Sequence, residues 1–302
     1  MYESHWKISA RPFENRIDSQ FYYPAETHQA ALLKLHYAIE NRRAAALLCG
    51  PGGMGKSMLM DSLQRQLSEP FRPLSHVVFP AMNAPQLIRY MVDQLGVDQL
   101  GAGSGSAETN SAKAITDNAP SPRHTTAPTR DMASDVLAFE RFLRRNTEQQ
   151  RHAVVVVDEA HLLEQYDLLE PLRLLLNLAA GAGPGESAWT LVLVGQPTLL
   201  THVERYHALD ERLAVKCMLH RLLPEETNAY IQHRLRCVGA DTEEIFDYAA
   251  LDRIHSLSQG IPRRINRLCD LALMVGYAED RTRIDADVID NVHGDLAAPS
   301  VI

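Results

Sequence analysis

The chain has 302 residues, enough for an α/β domain of about 200 residues and a smaller companion. Its apolar share of 45% can supply a large core, yet no run approaches the roughly 20 apolar residues needed to cross a bilayer. A formal net charge of −8 argues against a generally basic nucleic-acid binder. The cysteines Cys49, Cys217, Cys237 and Cys269 form no C-x-x-C pair, so buried reduced thiols are expected in place of a zinc site or a disulfide framework. Met1-Tyr2-Glu3-Ser4-His5-Trp6 lacks a basic region followed by an apolar one and does not read as a signal peptide. A cytoplasmic location is the expectation.

In chain order, residues 1–24 read as an irregular segment pinned on the core by Trp6, Phe13, Phe21, Tyr22 and Tyr23. Thr27 is placed to cap a helix that runs to Asn41, with Ala30, Leu33, Leu35, Tyr37 and Ile39 at helical spacing. Ala44 to Cys49 is a buried strand, and Met58 to Leu67 a helical run. His76-Val77-Val78-Phe79 reads as a second strand, and Pro85 opens a helix from Gln86 to Leu95. Residues 97–131 are expected to be a disordered insertion, since Ile115 is the one large apolar side chain between Gly101 and Asp131. A helix from Ser134 to Asn146 follows. Ala153 to Val157 is a continuous apolar run of the kind that a strand covered on both faces requires. Leu168 to Leu178 is an apolar helix ended by Gly181 and Gly183, and Thr190 to Val194 and Val215 to Leu219 are further strands. From Leu223 the period is helical, with helices expected at 224–236, 248–258, 262–277 and 286–292. An α/β domain over 25–221 therefore precedes an all-helical one over 222–302.

The chemistry concentrates where the first strand ends. Gly50, Pro51, Gly52, Gly53, Met54, Gly55, Lys56 and Ser57 fit G-x-x-x-x-G-K-S, and Met58 continues into the helix. Gly52, Gly53 and Gly55 are expected to bend the backbone so that successive N–H groups face one concavity. With a helix N-terminus behind it, that concavity suits a di- or triphosphate. Lys56 adds a point charge for the β- and γ-phosphates, and Ser57 a hydroxyl ligand for Mg²⁺. Asp158 and Glu159 close the valine run, where ligands bind in open parallel sheets. Asp158 can hold the metal through water, and Glu159 can orient or deprotonate an attacking water. Gln196, just past the next strand, can reach the γ-phosphate or that water. His161 completes Asp158-Glu159-Ala160-His161, a pattern also seen in helicases; without the other helicase motifs it is expected to stand behind the site or face solvent.

These residues resemble those of an AAA+ ATPase, and within that class the general secretion pathway protein A family. Pro12-Phe13, Phe21-Tyr22-Tyr23 and His28-Gln29-Ala30-Ala31-Leu32 carry the resemblance at the start. Leu169-Glu170-Pro171-Leu172-Arg173-Leu174-Leu175-Leu176-Asn177-Leu178, Leu193-Val194-Gly195-Gln196-Pro197, Glu211-Arg212, Pro224-Glu225-Glu226-Thr227 and Gly260-Ile261-Pro262-Arg263-Arg264-Ile265-Asn266-Arg267-Leu268 carry the rest. The resemblance implies a three-layer P-loop core with a parallel sheet and a helical lid. It implies ATP and Mg²⁺ as cofactors, with Gln196 as sensor 1 and Arg263 as sensor 2. Arg212, with Arg205 as the fallback, would be the arginine finger donated to a neighbouring subunit in a ring or helical homo-oligomer. A protein partner in secretion or envelope biogenesis is expected. The competing reading is a DNA-binding regulator resembling the AAA+ proteins of transposition target selection. It rests on the basic cluster of Arg253, Arg263, Arg264 and Arg267 and has the acidic balance against it.

Overall fold

The computed structural model describes residues 1–71, 74–78, 80–96, 131–179, 181 and 183–297. The expected insertion, apart from Asp131, and Phe79 lie outside the described residues. Asp131 caps the following helix by accepting from the Ser134 N–H at 2.9 Å.

The elements run α1 (Glu26–Glu40), β1 (Ala45–Cys49), α2 (Lys56–Gln66), β2 (Leu74–Val77), α3 (Ala84–Gln94), α4 (Met132–Glu148), β3 (Ala153–Val157), α5 (Leu169–Leu175), β4 (Trp189–Gly195), α6 (Thr198–Arg205), α7 (His207–Asp210) and β5 (Leu213–Met218). Then come α8 (Pro224–Arg236), α9 (Thr242–Ile245), α10 (Tyr248–Ser258), α11 (Pro262–Ala278) and α12 (Ala286–Ala297). The strands form one parallel sheet in the order β2-β3-β4-β1-β5. Every residue of β1, β3 and β4 is buried, as the continuous apolar runs require of central strands, whereas β5 at one edge is half exposed. Helices cover both faces: one apolar cluster gathers α3, α4 and α5, the other α1 and α2. The carboxyl ends of β1, β3 and β4 therefore emerge together.

Local chemistry moves several boundaries. The first helix starts at Glu26 after Ala25, without a side-chain cap, so Thr27 lies inside it. Asn83 and Gln86 form a reciprocal capping box that starts α3 two residues early. The apolar spacing of Leu168 to Leu178 outlasts its helix. Beyond Leu175 the backbone tightens into i to i+3 turns (Asn177 N–H to Leu174 O and Leu178 N–H to Leu175 O, both 3.0 Å), and the Trp189 indole donates to the Leu175 carbonyl as well, at 3.3 Å.

The N-terminal segment departs most from expectation. Tyr2, Trp6, Ile8, Phe13, Phe21 and Ala25 belong to the apolar cluster of α8, α10, α11 and α12, not to either face of the sheet. Trp6 donates to the Leu273 carbonyl at 2.9 Å, and Phe13 meets Phe246 edge-on at 6.4 Å between ring centroids. Buried Arg234 donates to the carbonyls of Pro12 and Glu14 and lies 4.8 Å over the Phe21 ring. The segment is a strap across the helical part that re-enters the sheet part through α1. Phe13 is 1% exposed, so Phe13→Ala should cost about 3 kcal/mol or more. A urea titration followed by Trp6 fluorescence should show the loss.

A buried polar pair fixes the opposite end of the sheet. His152 Nε2 donates to Thr190 Oγ1 at 2.7 Å, and Thr190 donates to the Arg43 carbonyl at 2.6 Å. Burial, with a smaller push from Arg42, lowers the His152 pKa to about 3. The folded chain thus refuses a proton that the unfolded chain takes near pH 6.5. The stabilisation is full above that value and is lost progressively as pH falls toward 3. His152→Gln, which keeps the donor but does not titrate, should flatten the slope of unfolding free energy between about pH 6.5 and 4.

Candidate nucleotide site

The loop between β1 and α2 is held from three directions. Its carbon skeleton turns at Gly53 (φ +82°) and Gly55 (φ +87°), whereas Gly52 has no positive φ and open space where a Cβ would go. Two glycines, not the expected three, therefore make the bend. From below, His28 of α1 donates through Nε2 to the Met54 carbonyl at 2.7 Å, and burial lowers its pKa. From above, the Arg263 N–H at the start of α11 donates to the Gly53 carbonyl at 3.1 Å. The approach is so close that a Cβ on Gly53 would fall 2.7 Å from the Arg263 Cβ.

Lys56 is buried, and its ammonium donates to the Gly50 and Pro51 carbonyls at 2.8 and 3.0 Å. Desolvation lowers its pKa, against the opposing pull of Glu159 and Asp158. Ser57 Oγ lies 3.3 Å from Asp158 Oδ2, and Asp158 Oδ1 accepts the Glu159 N–H at 2.8 Å. Glu159 sits in the left-handed region (φ 48°), which turns its carboxylate out of the strand toward the cleft. Gln196 follows β4. Between them stands His161, with Nδ1 at 3.3 Å from Glu159 Oε2 and Nε2 at 3.2 Å from Gln196 Nε2. His161 thus stands behind the site, against Glu159 and Gln196, and is not turned to solvent.

Gly52, Gly53, Met54, Gly55, Lys56, Ser57, Met58, Asp158, Glu159, Gln196 and Arg263 all line one open cleft, with Gly50 and Pro51 at its floor through Lys56. Past the phosphate loop the cleft continues into a largely apolar and aromatic recess of Ile17, Phe21, Tyr22, Tyr23, Leu222 and Tyr230, into which Arg234 and Asn266 also face. Sequence reasoning missed the roles of His28, Arg234 and Asn266: each acts through a contact more than 20 residues away, which local pattern does not encode. Arg212 and Arg205 do not line the cleft. Arg212 donates to Asn177 Oδ1, and Arg205 pairs with Glu164 at 3.7 Å.

A glycine-turned loop at a helix N-terminus, with a carboxylate at the end of β3 across the intervening β4, decides the class, and a family model agrees. The AAA domain model matches residues 39–203, more than half of the chain. The chain belongs to the AAA domain family. This AAA chain is 28% identical to "General secretion pathway protein A" of Aeromonas hydrophila over 98% of its own length. It spans about half of that relative, 47%. Among solved structures it resembles the Aeropyrum pernix ORC2 protein in ADPNP–ADP complexes (TM-score 0.62, 14% identity, 97% of this chain and 72% of that one). It also resembles Drosophila ORC bound to DNA (0.61, 14%, 96% and 65%) and the Thermotoga maritima RuvB Holliday junction branch migration motor (0.54, 16%, 94% and 73%). These similarities establish the AAA+ fold, a five-stranded parallel sheet followed by a helical region, and with it a nucleotide-binding site. Among the described residues, no helix is long and apolar enough to cross a membrane.

Gly53→Ala tests the junction between loop and α11. The added methyl meets Arg263 and must also adopt a positive φ, so nucleotide affinity should fall at least tenfold. Titration with a fluorescent ATP analogue reads this, with Gly294→Ala in α12, outside the cleft, as the control that should bind as the parent does.

Proposed function

We propose that this chain is an ATPase that binds and hydrolyses ATP with Mg²⁺ and passes the resulting movement to a protein partner in secretion or envelope biogenesis, on the cytoplasmic side. The observation that carries the reading is the convergence of Lys56, Ser57, Asp158, Glu159 and Gln196 from the sheet and Arg263 from α11 on a single cleft. We take residues 25–221 as the ATPase domain, 222–302 as its lid and 1–24 as the strap.

The donor set fits both groups. Backbone N–H groups at the start of α2 and the Lys56 ammonium suit a polyphosphate, and the aromatic recess suits a purine base. The adjacent hydroxyl of Ser57 and carboxylate of Asp158 are hard oxygen donors, as Mg²⁺ prefers. When bound, Mg²⁺ neutralises charge on the β- and γ-phosphate oxygens. Lys56 exchanges the Gly50 and Pro51 carbonyls for phosphate oxygens. Glu159 accepts the proton of the attacking water, and Gln196 orients that water against the γ-phosphate. Arg263 lies one residue into α11, so its side chain reports the state of the phosphate to the lid. Arg212 faces away from its own chain's cleft, which supports donation to a neighbour in a ring or helical homo-oligomer.

The secretion role draws on the relative whose name states it. A second reading, ATP-dependent binding of DNA, has one observation in its favour. Arg264 and Arg267 are exposed on α11 without a carboxylate partner among the described residues. Arg253, by contrast, is paired with Asp290 at 2.5 Å, which weakens the expected cluster. Steady-state ATP hydrolysis measured against protein concentration tests both. The rate per subunit should rise with concentration, and Arg212→Ala should lower it about a hundredfold without changing nucleotide affinity. A flat, negligible rate would sink the hydrolysis reading, and stimulation by duplex DNA that fades with salt would favour the second reading.

A further inference from the structure

Between the two groups that flank the attacking water stands a side chain to which no role has been given. His161 is 15% exposed, and its ring spans the gap from Glu159 to Gln196. Its place is fixed by packing. At the end of β4 a Cβ on Gly195 would fall 3.1 Å from the His161 backbone nitrogen, so the strand end closes tightly on this turn.

The bridge has a direction. The nitrogen of the Gln196 amide is a donor only, so His161 Nε2, 3.2 Å away, must accept. A neutral imidazole that accepts at Nε2 carries its proton on Nδ1. That Nδ1 is buried and makes no hydrogen bond, and Glu159 Oε2 lies 3.3 Å from it, close enough for a small turn of either side chain to complete one. Gln196 thereby selects the tautomer that sets an N–H beside Glu159.

We infer that His161 is a positioning residue for hydrolysis, which holds the Glu159 carboxylate beside Gln196 through Nδ1–H. The inference rests on the reading of Glu159 as the acceptor of the water proton. It gives Gln196 a second task beside its place at the γ-phosphate, since a change at Gln196 reaches Glu159 through one ring. Binding of the nucleotide needs none of this, because His161 does not line the cleft. The effect therefore belongs in kcat and not in affinity.

The two amide residues take the ring apart. In asparagine the amide nitrogen falls where Nδ1 was, and in glutamine where Nε2 was. His161→Asn should keep the donor toward Glu159 and retain kcat within about threefold, whereas His161→Gln and His161→Ala should lose about tenfold. KM for ATP should stay within about twofold in all three. Equal kcat in the parent, Gln and Ala variants would overturn the inference, as would equal losses in the Asn and Gln variants. The second readout needs no turnover. In histidine-labelled protein, long-range nitrogen–proton spectra, with the His161 signal assigned by its disappearance in His161→Gln, should show the Nδ1–H tautomer and its loss in Gln196→Ala. An Nε2–H tautomer in the parent protein overturns the bridge. A parent protein that binds ATP without hydrolysing it sinks the hydrolysis reading, and the spectrum still judges the bridge by itself.

Discussion

The hydrogen bond from the Arg263 N–H to the Gly53 carbonyl joins the two halves of this chain at the point where phosphate chemistry is read. It is a backbone contact, so no side-chain rotamer can release it. It holds only while α11 lies directly on the phosphate loop, and it demands a residue without a Cβ at position 53. The lid is thus not hung beside the cleft. It forms part of the loop's own hydrogen-bonding, and a rearrangement of the loop must either move α11 or break the bond.

The strap gives that coupling its reach. Residues 1–25 bury their aromatics among α8, α10, α11 and α12, and the chain then enters α1, whose His28 grips the Met54 carbonyl. The phosphate loop is therefore tied to the helical part twice, directly at Gly53 and indirectly through the strap and α1. Arg234 shows how tightly the strap is held. It is buried, its donors go to carbonyl oxygens and the Tyr230 hydroxyl, and no carboxylate partners it among the described residues. Charge-to-carbonyl bonds and the Phe21 face satisfy a cation that burial would otherwise disfavour. With that charge facing it, the polarity of the aromatic recess is set by the strap and the lid, while the sheet part supplies the charged groups around the phosphate loop.

Much of this was legible from residue pattern, and the reasons for the rest are specific. The apolar runs at Ala44–Cys49, Ala153–Val157 and Leu191–Val194 identified the central strands, because a strand buried on both faces leaves little room for polar positions. The phosphate loop was legible because its chemistry constrains consecutive residues. The strap's true partner was not, since an aromatic residue can bury itself against any apolar surface and its sequence does not say which. The premature end of α5 was hidden for a similar reason. Leucines at helical spacing serve i to i+3 turns as well, and the indole that claims the Leu175 carbonyl comes from Trp189 on another element. His28 and His161 stand in recognisable stretches, but nothing local names their partners. Each is an ordinary histidine until the fold sets a carbonyl or a carboxylate beside it.

The two proposed sensor positions differ in how they can transmit. Arg263 acts on the lid through a rigid backbone bond and a helix whose burial is distributed along its length, so its message is a displacement. Gln196 lies at the end of a fully buried central strand that cannot shift without breaking its pairing with β1 and β3. Its message must travel through side chains, and α6 follows immediately, with His202 and Arg205 both set against Glu164 in the turn that begins at Glu159. That turn therefore meets Gln196 at one end and Arg205 at the other. In the proposed oligomer, a neighbour that pressed on α6 would act on Glu159 along the same short segment, without passing through the lid.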